Sequence, residues 1–449
     1  MRHYFGTDGV RGTVNKDPMT AEFALRLGRA AGHVLTRHLS HQPHVLIGKD
    51  TRLSGYMIES ALCAGLTAQG MNVQLVGPVP TPAVAYLTRS LRSDAGVMLS
   101  ASHNPAGDNG IKFFGADGFK LPDELELEIE ACLDALPPLP DALDIGKAVR
   151  VDDARGRYIE FLKASLPKGL RLDGLKIVVD CANGAAYDVA PRMLSELGCE
   201  VVAIHDDPDG YNINRECGST YPESMCALVA STDADIGIAL DGDADRLIAC
   251  DSKGTLVDGD RVIAILAAHQ LRAGKLKGDG VVTTLMSNMG LERYLANMDL
   301  KMHRAAVGDR YVLEMMREKG CNLGGEQSGH LIMLDHNTTG DGLMSAIQLL
   351  CAMSDQGKAL DDLGSDMKLF PQKLWNIRMP SRINVLENRS VQEVITAAEL
   401  KLAKKGRINV RLSGTEPLAR VMVEAEDEAL MLEAGQAVVE SVQRVVDTI

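Results

Sequence analysis

Residues 235–246, DIGIALDGDADR, join a short apolar run to a loop that contains three aspartates. The apolar run has the length of a buried strand, and the polar loop marks where that strand ends. The same pattern occurs in HVLIGKD (44–50), AGVMLSASHNP (95–105) and LKIVVDCANGAA (175–186). Amphipathic stretches at about 20–39 and 55–70 have helical periodicity, with Thr20 as the expected N-cap of the first. This alternation predicts an α/β fold with substantially parallel sheets.

The chain has 449 residues, which is too long for one hydrophobic core. A Pro-rich stretch, LPPLPDAL (136–143), cannot continue a helix and is typical of a linker. The last segment has a different order: helix 391–405, two strands joined by a tight turn, and helix 427–447. We therefore predict three α/β domains followed by a smaller α+β domain. Their expected boundaries are 1–150, 151–255, 256–368 and 369–449.

Charge and composition exclude several classes of function. The formal charge of -14 disfavours nucleic acid and anionic membranes as partners, because those surfaces attract basic proteins. The polar, Gly-rich N-terminus and the lack of a long apolar run predict a cytoplasmic protein. Nine cysteines without a CxxC pair indicate reduced thiols rather than a zinc site. The motifs GxxxxGK[ST], HExxH and GxSxG are absent, as is GxGxxG after a strand, which disfavours nucleotide hydrolysis, zinc proteolysis, esterase and dinucleotide redox chemistry.

The three aspartates of the first motif are Asp241, Asp243 and Asp245. In an extended segment, carboxylates at alternate positions point to one side. Grouped carboxylates repel one another, and a hard divalent cation relieves that repulsion. An EF-hand loop does not fit, because Arg246 occupies its glycine position and Ser252 its final glutamate position. The spacing therefore predicts a metal site, with a solvated acidic turn as the alternative.

Two further loops suit phosphate and sugar chemistry. SASHNP (100–105) places Ser102 and His103 at the end of a strand, where α/β proteins expose reactive groups. In GGEQSGH (324–330), Glu326 and Ser328 offer an acceptor and a donor for sugar hydroxyls, and His330 titrates near neutrality. Taken alone, SASHNP is better explained as a polar turn, whereas GGEQSGH is equally well explained as a Gly-rich turn.

The motif RLSGTEP (411–417) has the features of an anion site. Successive backbone N–H groups and two hydroxyls can form a nest, and Arg411 and Arg420 bracket it. Arginine binds phosphate in a bidentate manner. A plain hairpin turn is the alternative.

Taken together and in this order, SASHNP, DGDADR, GEQSGH and RLSGTEP resemble the motifs of the α-D-phosphohexomutase family across essentially the whole chain. YFGTDGVRG (4–12), VGDRYV (307–312) and the Gln of GEQSGH are most similar to the bacterial members that act on glucosamine phosphates. The resemblance implies four domains around a central cleft, and a homodimer is compatible with it. It implies that Ser102 is a phosphoserine carrier and that Mg²⁺ is bound by Asp241, Asp243, Asp245 and a phosphate oxygen on Ser102.

The remaining positions implied by the resemblance line the cleft or bind the substrate. Catalytic positions are Arg11, Ser102, His103, Lys112 and His330. Substrate-binding positions are Arg246, Gly308, Glu326, Ser328, Arg411, Ser413, Gly414, Thr415 and Arg420. Lys112 and His330 are both candidates for the general base.

The implied reaction transfers phosphate between the 6- and 1-hydroxyls of a small hexosamine phosphate. Phosphorylated Ser102 would give its phosphate to glucosamine 6-phosphate, forming glucosamine 1,6-bisphosphate, and then take back the 6-phosphate. The alternatives are a family member that prefers glucose or mannose phosphates, a serine-dependent sugar phosphatase, and a catalytically silent sugar-phosphate binding protein.

Overall fold

The computed structural model describes residues 3–6, 8–380, 384–412 and 417–447. The chain forms two compact units. The first contains Met1–Met286 and Leu300–Ser365, and the second contains Ser287–Asp299 and Asp366–Ile449. Within the described ranges the strands form four sheets, three in the first unit and one in the second.

The first sheet has the order β1-β2-β6-β5-β3-β4-β7. Its strands are β1 (Phe5–Gly6), β2 (Gly9–Thr13), β3 (His44–Lys49), β4 (Asn72–Pro78), β5 (Ala95–Leu99), β6 (Asp108–Gly115) and β7 (Ala148–Arg150). Its helices are α1 (Ala21–Thr36), α2 (Ser54–Ala68), α3 (Thr81–Ser90) and α4 (Asp123–Asp134). The Thr20 side chain accepts a hydrogen bond from the N–H of Phe23, which confirms the predicted N-cap. Strands β5, β3, β4 and β7 are parallel, whereas β6 runs antiparallel to β5, so the sheet is mixed.

The second sheet has the order β12-β11-β10-β8-β9. Its elements are α5 (Ala154–Ala164), β8 (Lys176–Asp180), α6 (Val189–Glu196), β9 (Glu200–Ile204), α7 (Glu223–Ser231), β10 (Ile236–Leu240), β11 (Leu247–Asp251) and β12 (Leu256–Val257). Strand β10 is buried along its whole length, as its apolar sequence predicts, and pairs in parallel with β8. Strand β11 returns antiparallel to β10. The DGDADR loop therefore connects two buried strands.

The third sheet has the order β14-β13-β15-β16. The stretch of chain that forms it contains α8 (Gly259–Arg272), β13 (Gly280–Thr284), α9 (Met289–Ala296), β14 (Lys301–Ala305), α10 (Asp309–Lys319), β15 (Leu323–Gly325), β16 (Leu331–Met333) and α11 (Gly342–Gln356). The GEQSGH loop joins β15 to β16, which pair antiparallel. Helix α9 belongs to the second compact unit.

The C-terminal sheet has the order β17-β19-β18 and is antiparallel. Its elements are β17 (Gln372–Arg378), α12 (Arg389–Leu402), β18 (Gly406–Leu412), β19 (Leu418–Ala425) and α13 (Glu428–Asp447). The predicted helix, two strands and final helix are present as α12, β18, β19 and α13, and the turn predicted between the strands lies outside the described residues. The apolar face of the sheet packs against α12 and α13.

Glu424 anchors the second unit internally. Its side chain is fully buried, accepts a hydrogen bond from Arg407 Nε at 2.7 Å, and accepts another from the N–H of Met289 at 2.5 Å. Arg407 also donates to the carbonyl of Ser287 at 2.6 Å. A carboxylate at the first residue of α9 interacts favourably with the positive end of the helix dipole. These bonds explain why residues 287–299 cluster with the C-terminal sheet although they lie far from it in sequence.

None of the helices in the described ranges is long and apolar enough to cross a membrane. All nine cysteines are free thiols.

Glu424→Ala should destabilise the second unit by about 3 kcal/mol, because it removes a fully buried carboxylate from the half-buried guanidinium of Arg407 and from the N–H of Met289. Trp375, the sole tryptophan of the chain, lies in β17 of that unit, so its fluorescence reports denaturant unfolding there. Glu440 is exposed on α13, and Glu440→Ala should change stability by less than about 0.5 kcal/mol. Equal midpoints for the two variants would show that the buried pair does not hold the unit together.

Candidate active site

The serine loop leaves the buried strand β5 and turns sharply at Ser102. Ser102 has φ +52°, in the left-handed region that non-glycine residues rarely occupy. Its hydroxyl donates a hydrogen bond of 2.6 Å to Oδ2 of Asp241 and lies 3.3 Å from Nδ1 of His103. The first and second sheets therefore meet where β5 and β10 end, and they bring the predicted carrier to the predicted metal site.

The three aspartates are grouped as predicted, but the predicted conformation of their loop is wrong. Ligand oxygens of Asp241, Asp243 and Asp245 all lie within 4.8 Å of one another. The segment is a turn rather than an extended strand, because the N–H of Ala244 bonds the carbonyl of Asp241 at 2.9 Å. Ala244 has φ +56°. The turn, not strand alternation, groups the carboxylates.

The neighbours of the trio fix it in place. Thr81, the first residue of α3, donates to Oδ2 of Asp243 at 2.6 Å. Lys112 on β6 donates to the same oxygen at 2.9 Å. The N–H of Arg246 donates to Oδ1 of Asp241 at 3.1 Å.

The protonation equilibria of the trio reflect this crowding. Burial raises the pKa of Asp241 well above its usual value, and the nearby Asp245 and Asp243 carboxylates raise it further. Burial would also raise the pKa of Asp245, but His330 and Lys112 overcome it and lower that pKa. Within the described part of the chain, Oδ1 of Asp243 is buried without a hydrogen-bond partner. An all-oxygen donor set with an unsatisfied carboxylate oxygen fits a hard divalent cation.

A cationic layer adjoins the carboxylates. Nζ of Lys112 lies 2.9 Å from Asp243, 3.1 Å from Asp8 and 3.7 Å from Asp245. Burial opposes a charged lysine, but these carboxylates raise the pKa of Lys112 and hold it as a cation. Asp8 also forms an ion pair with Arg11. The predicted residues Arg11 and Lys112 are thus close to the trio.

The two predicted histidines are perturbed in opposite directions. Burial lowers the pKa of His103 to about 4, and Arg246 and Arg11 add to that effect. Burial also acts against protonation of His330, but Asp245, 3.6 Å away, outweighs it and raises the pKa of His330 to about 9. His103 is therefore neutral at pH 7 and His330 is protonated.

The sugar-recognition loop docks directly on the metal loop. His330 and Arg246 form an antiparallel bridge, and the N–H of Leu247 bonds the carbonyl of Gly329 at 2.9 Å. A side chain at Gly329 would come within 2.2 Å of the Leu247 carbonyl, so only glycine permits this approach. Glu326 accepts a hydrogen bond from the N–H of Gly308 at 3.1 Å. The predicted positions Gly308, Glu326 and His330 therefore lie together.

A cavity of about 450 Å³ opens over these groups. The predicted residues along its wall are Arg11, Ser102, His103, Asp245, Arg246, Gly308, Glu326 and His330. Tyr4, Gly6, Asp8, Gly9, Val307 and Asp309 complete the lining. Ser328 does not line it, and its hydroxyl lies 3.5 Å from Oε2 of Glu326.

Models of the phosphoglucomutase/phosphomannomutase family match almost all of the chain. Alpha/beta/alpha domain I matches residues 2–138, domain II residues 156–254, domain III residues 258–370, and the C-terminal domain residues 374–441. The chain belongs to this family.

Relatives and solved structures agree with that membership. The chain is 55% identical over 445 residues to a phosphoglucosamine mutase from Paracoccus denitrificans, with 99% of each chain covered. It is 56% identical over 442 residues to a phosphoglucosamine mutase from Dinoroseobacter shibae, with coverage of 98% of this chain and 99% of that protein. A crystal structure of a phosphoglucomutase/phosphomannomutase family protein from Burkholderia thailandensis superposes with a TM-score of 0.83 at 25% identity, covering 99% of this chain and 98% of that one. The predicted family, the four-domain α/β fold and a mutase, or isomerase, activity are confirmed, whereas the domain boundaries stay a prediction.

The family's C-terminal hairpin lies in the second unit. Arg411 and Arg420 are directly opposite each other on β18 and β19. Burial lowers the pKa of Arg411, and the adjacent positive charge of Arg420 adds to this effect. Two like charges across a ladder are unfavourable unless an anion binds between them. Ser413, Gly414 and Thr415 lie outside the described residues.

Sequence reasoning missed several groups at the site. Asp8 lies within the motif YFGTDGVRG, and a carboxylate between glycines in that motif could have indicated a site residue. Lys120 forms ion pairs with both Asp8 and Asp309, and so links the first sheet to the start of α10. Thr81 follows a proline pair and has no distinguishing pattern. Each of these contacts joins residues that are distant in sequence.

Asp243→Asn should weaken divalent-cation binding by about 10- to 100-fold, because it removes one charged ligand and disturbs Lys112. Calorimetric titration with Mg²⁺ and with Mn²⁺ measures this without reference to activity. Asp233 is exposed, and Asp233→Asn should bind both ions like the wild-type chain. An unchanged titration for a folded Asp243→Asn protein would contradict the metal site.

Proposed function

We propose that the chain interconverts glucosamine 6-phosphate and glucosamine 1-phosphate, and so supplies amino-sugar nucleotide (UDP-N-acetylglucosamine) and cell-wall synthesis. Phosphorylated Ser102 carries the phosphoryl group. The observation that carries this proposal is the 2.6 Å contact between the Ser102 hydroxyl and Asp241, at the wall of a cavity whose lining includes Arg11 and Arg246. The phosphoglucosamine mutases at 55–56% identity over almost the whole chain support the choice of sugar.

Charge compensation is the main requirement of such a carrier. A phosphoserine bears about -1.5 to -2 charges at neutral pH. Arg11 and Arg246 line the same cavity as Ser102, and Lys112 pairs with Asp243 of the adjoining trio, so positive groups lie close to the carrier. Mg²⁺ held by Asp241, Asp243 and Asp245 would neutralise developing charge on the transferring group.

The reaction has two balanced transfers. The 1-hydroxyl of glucosamine 6-phosphate attacks the phosphorus of phospho-Ser102, the bond from phosphorus to Oγ breaks, and the hydroxyl proton passes to a base. The product is glucosamine 1,6-bisphosphate and free Ser102. The departing Ser102 oxygen takes up a proton. After the bisphosphate reverses its orientation, the Ser102 hydroxyl attacks the phosphorus of the 6-phosphate, the bond from phosphorus to O6 breaks, and the proton lost by Ser102 is replaced by one gained at O6. This restores the phosphoserine and releases glucosamine 1-phosphate.

Two residues, Lys112 and His330, are the predicted candidates for the general base. His330 lines the cavity, whereas Lys112 is bound to three carboxylates and holds its proton strongly. Lys112 is therefore a fixed positive charge. His330 is the candidate that reaches the cavity, but Asp245 keeps it protonated at pH 7, so it can accept the proton of a sugar hydroxyl only after it has lost its own.

Substrate binding uses two further sets of residues. Glu326 and Ser328 would accept from and donate to the sugar hydroxyls, with the Gly308 N–H holding the Glu326 carboxylate in place. Arg411 and Arg420, with Ser413, Gly414 and Thr415, would bind the phosphate that does not react.

Ser102→Ala should reduce turnover by about 10³-fold or more while substrate still binds, because the phosphoryl acceptor is lost. A coupled assay for glucosamine 1-phosphate and the intact protein mass measure turnover and phosphorylation separately. Ser90→Ala, at an exposed serine at the end of α3, serves as the control. Full activity of Ser102→Ala, or phosphate on that variant, would refute the carrier role.

Glucosamine 6-phosphate should be converted with a kcat/KM at least about 10-fold above glucose 6-phosphate and mannose 6-phosphate. A factor of 10 corresponds to about 1.4 kcal/mol, less than one well-placed polar contact to a buried group can supply. Parallel assays of the three 6-phosphates test this. A preference for glucose or mannose phosphate would assign the chain a different substrate within the same family, and release of inorganic phosphate alone would indicate a phosphatase.

A further inference from the structure

The turn that follows Ser102 is held by one buried guanidinium. Arg52 lies in the loop after β3, and its side chain is fully buried. Its terminal nitrogens donate to backbone carbonyls of residues 102–108. The acceptors are Ser102 (2.9 Å), Asn104 (2.8 Å), Pro105 and Asp108 (3.1 Å).

Asp50 holds the Arg52 guanidinium and, through Ser100, also the backbone N–H of Ser102. Its Oδ2 accepts from Arg52 Nε at 2.8 Å and from the Ser100 hydroxyl at 2.6 Å. The Ser100 hydroxyl in turn accepts from the N–H of Ser102 at 2.9 Å. The N–H and the carbonyl of Ser102 are thus both tied to a single Asp50–Arg52 pair.

The second sheet contributes to the same arrangement. Nδ2 of Asn214 donates to the carbonyls of Ser102 at 2.8 Å and Asn104 at 3.0 Å, the two that Arg52 also binds. Thr51, between Asp50 and Arg52, donates to the carbonyl of Asn183 at 2.5 Å. The support of the serine turn is therefore shared between the two sheets whose loops meet at Ser102 and Asp241.

We propose that Arg52, oriented by Asp50, is a positioning residue that keeps Ser102 in its left-handed conformation and so keeps the carrier oxygen at Asp241. This inference rests on the proposed function. A serine at φ +52° relaxes to the ordinary regions unless surrounding bonds over-determine it. Relaxation would rotate Oγ away from the trio while leaving the substrate-binding residues in place. The planar fork of arginine can span several carbonyls, whereas the donors of lysine all sit on one atom.

Arg52→Lys should lower kcat by about 100-fold and change KM by less than about threefold. A loss of this size is expected when a reactive group, here the Ser102 oxygen, is displaced by about 1 Å. Asp50→Asn keeps the shape and an acceptor for Ser100, so its loss should be smaller, about 10-fold. A second readout is independent of turnover. After loading with glucosamine 1,6-bisphosphate, the phosphorus NMR signal of phospho-Ser102 in Arg52→Lys should move toward that of a free phosphoserine peptide.

Arg407→Lys is the matched control, because Arg407 is also paired with a fully buried carboxylate and bound to a carbonyl, but in the second unit. It should lower thermal stability and leave the phosphoserine signal unmoved.

Failure of Arg52→Lys to become phosphorylated, while Arg407→Lys loads normally, also supports the inference. Wild-type kcat and signal in Arg52→Lys, or the same loss in both variants, would overturn it. A wild-type chain that neither turns over nor carries phosphate on Ser102 would contradict the proposed function instead.

Discussion

The contact between the Ser102 hydroxyl and Asp241 joins the ends of two strands that belong to different sheets, and the remaining site geometry is arranged around it. Neither sheet alone contains both the carrier serine and the aspartate trio. The two must dock rigidly for a 2.6 Å bond to persist. Thr81 supplies part of that docking, because its N–H and its hydroxyl bond the carbonyl and the side chain of Asp243 at 2.9 and 2.6 Å. The backbone of the metal loop is therefore bound to the first residue of a helix of the other sheet.

Charge sets the second constraint. Asp8, Asp243 and Asp245 surround the buried Lys112. Asp241 instead bonds the Ser102 hydroxyl and the N–H of Arg246, so nearby cations compensate its charge only in part. The raised pKa of Asp241, caused by burial and then by its neighbours, is the sign of that deficit. A site that is acidic at its base and lined by arginines at its wall can take both a cation and a phosphate.

The sequence allowed the elements and the loops to be predicted because both depend on local pattern. The strand before the aspartates is uniformly apolar, and the loop after it has carboxylates at alternate positions. The conformation of that loop was not predictable from alternation, because the left-handed Ala244 and the turn it forms depend on groups from another sheet. Lys120 illustrates the same limit. Its two carboxylate partners, Asp8 and Asp309, are separated by most of the chain, and nothing near Lys120 indicates them.

The segment HVLIGKD (44–50) shows that a strand followed by a polar loop can supply either buried supporting residues or residues that line the cavity. It has the same strand-then-loop form as the serine and aspartate motifs, yet Asp50 and Arg52 turn inward and have no exposed surface. Arg246 comes from an equivalent loop and lines the cavity. Burial, which the sequence does not encode locally, separates the two cases. A charged pair that is fully buried beside a strained serine, and bound chiefly to backbone carbonyls, has no access to a ligand. Its effect on the chemistry must therefore pass through the geometry of the serine that it holds.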